Sequence, residues 1–289
     1  MENLKDKTVV LTGAASGIGR ALAEQLAQEG CGLVLVDMDE AGLRQTREVI
    51  SRKEQPLSLH ALDIGEKDSL FALADYVSKE RGGADLLINN AGIAGMASFL
   101  EVALDMMERF MQVNFWGAVY GCKAFLPQLL AKPEAHIVNV SSIEGILAFP
   151  QKTAYDASKF ALRGFTEALK MDLWKTSVRV SCVFPGGIKT NIARNALRLA
   201  SQYLEEHPEL EATLRPRLAE GDARVATFEA LITTPAEEAA RIIIEGIKKN
   251  SWRILIGEDA KGLDELQRTQ PETYQETLAQ IWPKELGWD

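Results

Sequence analysis

From residue 8 to about 184 the chain alternates between two hydrophobic rhythms. Short runs that are apolar at nearly every position, such as VVLTG, LVLVD and IVNV, are followed by longer stretches in which apolar residues return at helical spacing. The first pattern belongs to strands buried on both faces, and the second to helices that cover a sheet with one side. Strands are expected at 8–12, 33–37, 57–62, 86–89, 136–141 and 178–184, with a late one at 253–256. Helices are expected at 18–29, 40–53, 67–80, 104–131, 154–175 and 236–248. Alternating elements of this kind predict an α/β protein: a doubly wound parallel sheet of seven strands with helices on both faces. Right-handed crossovers would bring the carboxyl ends of the strands to one edge, where loops can build a crevice.

Residues 185–235 break the rhythm. They open with Pro-Gly-Gly, carry many charges and contain short amphipathic pieces such as 192–204. An inserted helical lid over a substrate is the functional reading, and a surface excursion without a binding role is the plain one. The stripe Ile192, Ala196, Leu199 and Tyr203 fits a lipophilic ligand, or equally the packing of this segment onto the sheet. Beyond Gly257 the chain reads as a helical extension, residues 258–289, that carries Trp282 and Trp288. No repeat or low-complexity linker divides the sequence, so residues 1–289 are expected to form a single catalytic domain.

Composition removes several classes of function. A formal net charge of −9 argues against nucleic acid and against an anionic membrane surface, since both need a positive field. The start, MENLKDKTVVLTG, is too polar for a signal peptide, and no apolar run approaches the roughly 20 residues that span a bilayer. A cytoplasmic protein is expected. Cys31, Cys122 and Cys182 are scattered and odd in number, and His60, His136 and His207 lack metal-ligand spacing, so no disulfide framework and no metal site are expected.

The first strand runs into Thr12-Gly13-Ala14-Ala15-Ser16-Gly17-Ile18-Gly19, after which a helix begins. Glycines allow a sharp turn and close approach to a diphosphate, while the helix amino terminus offers unpaired N–H groups and positive dipole character. The spacing is G-x3-G-x-G, so a search for G-x-G-x-x-G would miss it. Asp37 ends the second strand where a carboxylate would bind the adenosine ribose hydroxyls. It would also repel a 2′-phosphate, and Met38 adds no positive charge, which favours NAD over NADP. Arg20 and Arg44 lie nearby in sequence and weigh against that preference, and Asp37 could equally cap a helix.

With these motifs assembled, the chain resembles the classical short-chain dehydrogenase/reductase family up to about residue 257. The resemblance rests on TGAASGIG at 12–19, Asp63-Ile64, Asn89-Asn90-Ala91-Gly92, Asn114, Ser142, Tyr155-x-x-x-Lys159 and Pro185-Gly186, which agree in order and spacing. It implies a Rossmann-type fold. By the same resemblance Asp63 would touch the adenine, Asn90 to Gly92 would lie along the cofactor, and Ile188 with Thr190 would meet the nicotinamide carboxamide. Asp63 may be read otherwise as a strand-end cap, and Asn89 as a tie between strands.

Tyr155 and Lys159 stand four residues apart on an expected helix, so both reach one pocket. A tyrosine with a pKa near 10 is a poor base at neutral pH, because three units correspond to roughly 4 kcal/mol. A lysine ammonium and the positive ring of oxidised nicotinamide would both favour the phenolate. Ser142, 13 residues earlier, takes by resemblance the position that hydrogen-bonds the substrate oxygen; Ser141 leaves the register open by one residue, and the interval selects Ser142. By the same resemblance Asn114 would hold a water that links Lys159 to solvent.

The expected reaction interconverts a secondary alcohol and a ketone by hydride transfer. Selectivity is expected from Glu144, Phe149, Lys152, Gly187 and Ile192. A homodimer or homotetramer formed through the helices at 104–131 and 154–175 is implied by the resemblance. The alternative is a dinucleotide-binding redox sensor or scaffold without turnover. A serine hydrolase is set aside because the chain has no G-x-S-x-G elbow.

Overall fold

The apolar runs pair into one sheet. The computed structural model describes residues 1–51, 54–100 and 102–281. The strands are β1 (Thr8–Thr12), β2 (Gly32–Asp37), β3 (Leu57–Ala61), β4 (Leu86–Asn89), β5 (Ala135–Val140) and β6 (Val178–Pro185). A two-residue pair, β7 (Ile188–Lys189) with β8 (Thr234–Pro235), stands apart, and β9 (Arg253–Ile256) completes the main sheet. Its order is β3-β2-β1-β4-β5-β6-β9, parallel at every pairing. All residues of β4 and β5 are buried, whereas the edge strands β3 and β9 keep partial exposure. Continuous apolar runs therefore mark the interior of the sheet.

Helices cover both faces. On one lie α1 (Gly17–Gln28), α2 (Glu40–Val49) and the later α10 (Ala236–Lys248), which bury Leu22, Leu26, Leu43, Ile243 and Ile247. On the other lie α3 (Lys67–Arg81), α5 (Gly117–Leu130) and α6 (Thr153–Asp172), with Leu70, Val77, Phe125 and Leu129 in the core. The chain reverses its direction of growth between β1 and β4, so the loops after these strands diverge and leave a crevice at their carboxyl ends.

Three expectations change. The helix expected at 104–131 is α4 (Leu104–Met111), a π-helical turn (Gln112–Trp116) and α5. One extra residue in a turn leaves the apolar spacing nearly intact, so periodicity does not reveal it. The helix expected at 40–53 ends at Val49, and residues 52 and 53 lie outside the described residues. The segment after β7, expected to hold short amphipathic pieces with bounds only for 192–204, holds α7 (Ile192–Glu206), α8 (Glu211–Ala219) and α9 (Gly221–Leu231). Pro216 inside α8 and Gly221 at the start of α9 read as punctuation in a bare sequence. The tail forms α11 (Glu258–Thr269) and α12 (Tyr274–Ile281), while Trp282 and Trp288 lie outside the described residues. Among the described residues no helix is long and apolar enough to cross a membrane.

Candidate active site

The turn after β1 is held by hydrogen bonds from β4. Asn90 Nδ2 donates to the Thr12 and Gly13 carbonyls at 3.1 and 3.2 Å, and Thr12 Oγ1 accepts the N–H groups of Asn90 and Ala91 at 3.0 and 3.1 Å. Gly13 has φ +69°, and a Cβ there would stand 2.7 Å from Ala91 Cα. A Cβ on Gly19 would stand 1.9 Å from the Gly13 carbonyl oxygen. Both positions therefore require glycine. Ser16 is the N-cap of α1 but makes no capping bond, and the first turn, which contains Gly17, Ile18 and Gly19, carries no acid. A tight glycine turn leading into an uncapped helix start fits a dinucleotide diphosphate.

Asp37 accepts the Ala15 N–H at 3.0 Å with one oxygen and the Asp39 N–H at 3.0 Å with the other, which fixes the carboxylate against the glycine turn. The N-cap of α2 is Asp39, whose side chain accepts from Gly42 N at 2.9 Å. Arg20 is committed to the Ala15 carbonyl, Thr46 and Gln45, and Arg44 to Glu40.

Asp63 pairs with Arg109 at 2.7 Å and accepts from Gly65 N at 2.8 Å, so an adenine contact would share these lone pairs. Ile64 is buried against Gly117. Asn89 binds Asn139 Oδ1 at 2.8 Å and thus ties β4 to β5. Across the crevice, Pro185 ends β6, Gly186 N donates to Ile256 O at 2.9 Å, and Gly187 N donates to Asp259 Oδ2 at 2.6 Å. Ile188 is buried, and the Thr190 methyl lies beside Gly17, so the two loops face each other.

Three side chains meet beyond Gly92. Ser142 lies two residues beyond β5 and caps a short 3-10 turn, its Oγ accepting the Glu144 N–H at 3.1 Å. Ser141 donates to the Lys159 carbonyl at 2.9 Å. Lys159 Nζ donates to Val140 O at 3.1 Å and lies 5.7 Å from the Tyr155 ring centroid. A Cβ on Gly92 would stand 3.3 Å from that ammonium and 3.1 Å from Asn114 Oδ1. Asn114, in the π turn, accepts Ile93 N at 2.8 Å and donates to Ile93 O at 3.0 Å and Ser158 Oγ at 2.9 Å. Burial pushes the Tyr155 phenol up, with Glu144 adding to the rise and the Ser142 hydrogen bond opposing it. Burial also pulls Lys159 down, to about 8. Both shifts favour neutral forms, as expected of two groups removed from water.

Next to Tyr155 opens an apolar cleft. Val102, Met106 and Phe110 form one wall, and Leu199 and Tyr203 of α7 form the other. Of the five residues expected to select substrate, Lys152 lines this cleft. Glu144 stands behind Lys152, 2.7 Å from its ammonium; Phe149 packs with Ile143, Ile146 and Phe184; Gly187 lies against Ile232. Ile192 begins α7 one turn before Ala196 and does not line the cleft. The wall at 102–110 was missed although its apolar residues recur at helical spacing, because such spacing is shared by every helix that packs on a core. Cys31, Cys122 and Cys182 are buried and unpaired, and burial pushes each thiol up to about 12.

The family model for short chain dehydrogenases matches residues 7–199. The chain belongs to the short-chain dehydrogenase/reductase family. This oxidoreductase is 38% identical over 290 residues to the Mycobacterium tuberculosis protein named "Putative oxidoreductase SadH", covering 100% of this chain and 99% of that one. Among solved structures, a short chain dehydrogenase/reductase from Burkholderia phymatum in complex with NAD is 29% identical with a TM-score of 0.82, covering 94% of this chain and 96% of the other. L-sorbose reductase from Gluconobacter frateurii, complexed with NADPH and L-sorbose, shares the fold at a TM-score of 0.73 and 23% identity, covering 89% and 97%.

Proposed function

We propose that this dehydrogenase interconverts a lipophilic secondary alcohol of small to medium size and its ketone, with NAD preferred. The observation that carries the reading is the meeting of Ser142, Tyr155 and Lys159 at the end of an apolar cleft. In oxidation the Tyr155 oxygen takes the alcohol proton, and in reduction it returns it to the ketone oxygen. The Ser142 hydroxyl holds that oxygen. Lys159 supplies positive charge beside the phenol from within a buried site, where such charge acts strongly. Asn114 and Lys159 both stand beside Gly92, and Asn114 holds the Ile93 and Ser158 groups there. A nicotinamide cofactor held by the glycine turn would supply the hydride acceptor for oxidation and the hydride donor for reduction.

The glycine turn, Asp37 and the Gly186–Thr190 loop would hold the cofactor. NAD is favoured because Asp37 fills the ribose position with negative charge, while Arg20 and Arg44 are occupied by other partners and Met38 is exposed. The NAD complex of the Burkholderia phymatum relative is consistent with that preference. Helices α7 to α9 act as the lid. Exposed Trp116 and Phe160, on the π turn and α6, support a homodimer or homotetramer through those helices.

The test is a panel of secondary alcohols and ketones assayed with NAD and NADP in parallel, read by absorbance of the reduced cofactor. NAD-linked turnover that increases with the apolar size of the substrate is expected. Cofactor binding without turnover across the panel would favour a redox sensor, and a strong preference for NADP would overturn the reading of Asp37.

A further inference from the structure

The C-terminal extension reaches back to the loop that would hold the nicotinamide. Asp259 stands in the first turn of α11, just after the N-cap Gly257. Its neighbour Glu258 pairs with Lys261 inside the helix, whereas the Asp259 carboxylate leaves the helix and accepts the Gly187 N–H through Oδ2 at 2.6 Å, 72 residues back along the chain.

Two glycines make room for this carboxylate. A Cβ on Gly186 would stand 2.3 Å from Asp259 Oδ2 and 2.4 Å from Oδ1, and a Cβ on Gly257 would stand 2.2 Å from Oδ1. Neither position can carry a side chain while the carboxylate keeps its place. Gly257 also has φ +96°, a conformation that glycine adopts without strain. The carboxylate thus lies just past Pro185 and Ile256, the paired last residues of β6 and β9.

The contact fixes a stretch that has little stiffness of its own. Two successive glycines lose more backbone freedom on ordering than any other pair, so Gly186-Gly187 needs anchors from outside. Gly186 N is bound to Ile256 O at 2.9 Å, and Gly187 N to Asp259. From that fixed start Ile188 is buried and pairs with Thr234 through β7 and β8, and Thr190 lays its methyl against Gly17 of the glycine turn. Helices α7 to α9 leave the sheet through β7 and return through β8, so Asp259 also stands at the root of that segment.

We infer that Asp259 is a positioning residue for the nicotinamide: by holding Gly187 it fixes Ile188 and Thr190 at one end of the cofactor site, which gives the C-terminal extension a part in binding. The inference rests on the reading of Gly186–Thr190 as a cofactor loop. An acid in the first turn also favours its own helix through the dipole, but that role would not distinguish one end of a cofactor from the other.

The test compares NAD with ADP-ribose, which lacks the nicotinamide, on wild type, Asp259→Ala and Asp259→Asn. Affinities are measured by titration calorimetry, beside steady-state kinetics with a secondary alcohol and hydrogen exchange of the peptide that spans Gly186–Thr190. Asp259→Ala removes the acceptor, while Asp259→Asn keeps an acceptor oxygen in the same space. For Asp259→Ala the Kd for NAD should rise roughly tenfold, the scale of one hydrogen bond to a charged group, with Kd for ADP-ribose within about twofold and kcat down several-fold. Its loop peptide should exchange faster than in wild type, and Asp259→Asn should recover most of each loss. A loss confined to kcat supports the same role, exerted on orientation of the ring. An Asp259→Ala protein that matches wild type in both NAD affinity and kcat, or one that loses NAD and ADP-ribose affinity equally, overturns the inference. If wild type binds NAD but turns over no alcohol, the proposed reaction fails, while the comparison of NAD with ADP-ribose still decides the role of Asp259. If wild type prefers NADP, that cofactor and 2′-phospho-ADP-ribose take their places, and a wild type that binds neither dinucleotide overturns both readings.

Discussion

The two sides of the crevice are built from different materials. The side that fits a dinucleotide is made of backbone, with Gly13 and Gly19 shaped by contacts that admit no Cβ and Asn90 stitching the turn to the neighbouring strand. The side beside Tyr155 is an apolar cleft made of side chains, with Val102, Met106 and Phe110 opposite Leu199 and Tyr203. A diphosphate is read by N–H groups at fixed positions, which few sequences can supply. A lipophilic molecule is read by shape and area, which many sets of apolar residues supply equally well. Conserving the first function therefore demands a motif, and the second does not.

Because the two sides meet at Tyr155, its loss should separate binding from chemistry with the largest effect. Tyr155→Phe is expected to lower kcat by about 10²- to 10⁴-fold, the usual worth of a positioned acid or base, and to leave the Kd for NAD within a factor of about two. Parallel loss of cofactor binding, measured by protein fluorescence, would show that the tyrosine holds the site together instead. Gly19→Ala should do the opposite. Its Cβ would stand 1.9 Å from the Gly13 carbonyl oxygen, so the turn must shift, and NAD affinity should fall about 100-fold, more than 2 kcal/mol, whatever the substrate.

Leu199→Ala tests the substrate side at smaller amplitude. Removing about three methylene-sized groups from the cleft should raise KM for an apolar substrate roughly tenfold, at about 0.8 kcal/mol per group less incomplete burial, with NAD affinity unchanged. An equal loss for small and large substrates would mean that α7 packs on the sheet without touching ligand.

The smallest effect on activity is expected inside the sheet that both sides share. His136 is buried in β5, with Nε2 2.7 Å from Ser181 Oγ, and burial pulls it down to about 3. Its folded pKa lies below the unfolded value of 6.5, so the unfolded chain takes up a proton first as pH falls. The stability it contributes is complete above about 6.5 and is lost toward 3, at up to about 1.4 kcal/mol per pH unit. His136→Gln should flatten the dependence of chemical denaturation on pH between 6 and 4 and leave kcat near neutral pH within a few-fold. An unchanged slope would place the acid sensitivity elsewhere.

Much of the architecture was legible in the sequence because burial on both faces leaves a continuous apolar run. Strands β1, β4 and β9 fall at the expected positions, and the others differ by a residue at one end or both. The π turn at Asn114 was not legible, since one added residue barely disturbs a period near four. Nor were the bounds of α8 and α9, where proline and glycine interrupt the apolar pattern. At the site, Tyr155 and Lys159 could be read from spacing because both lie on one helix. The cleft wall at 102–110 could not, because nothing in an apolar helix face distinguishes packing on a core from lining a pocket.

By itself the sequence determined what depends on local geometry: strand and helix order, the glycine turn, and the four-residue separation of tyrosine and lysine. Only the tertiary structure decided what depends on contacts between distant segments. It gave Ser141 and Ser142 different partners, stitched Asn90 to the glycine turn, and set α7 across from α4 to close the cleft. Covalent spacing limits which neighbours a residue can have within a helix or turn, whereas a contact between loops is chosen by the packing of the whole sheet, which no single stretch of chain encodes.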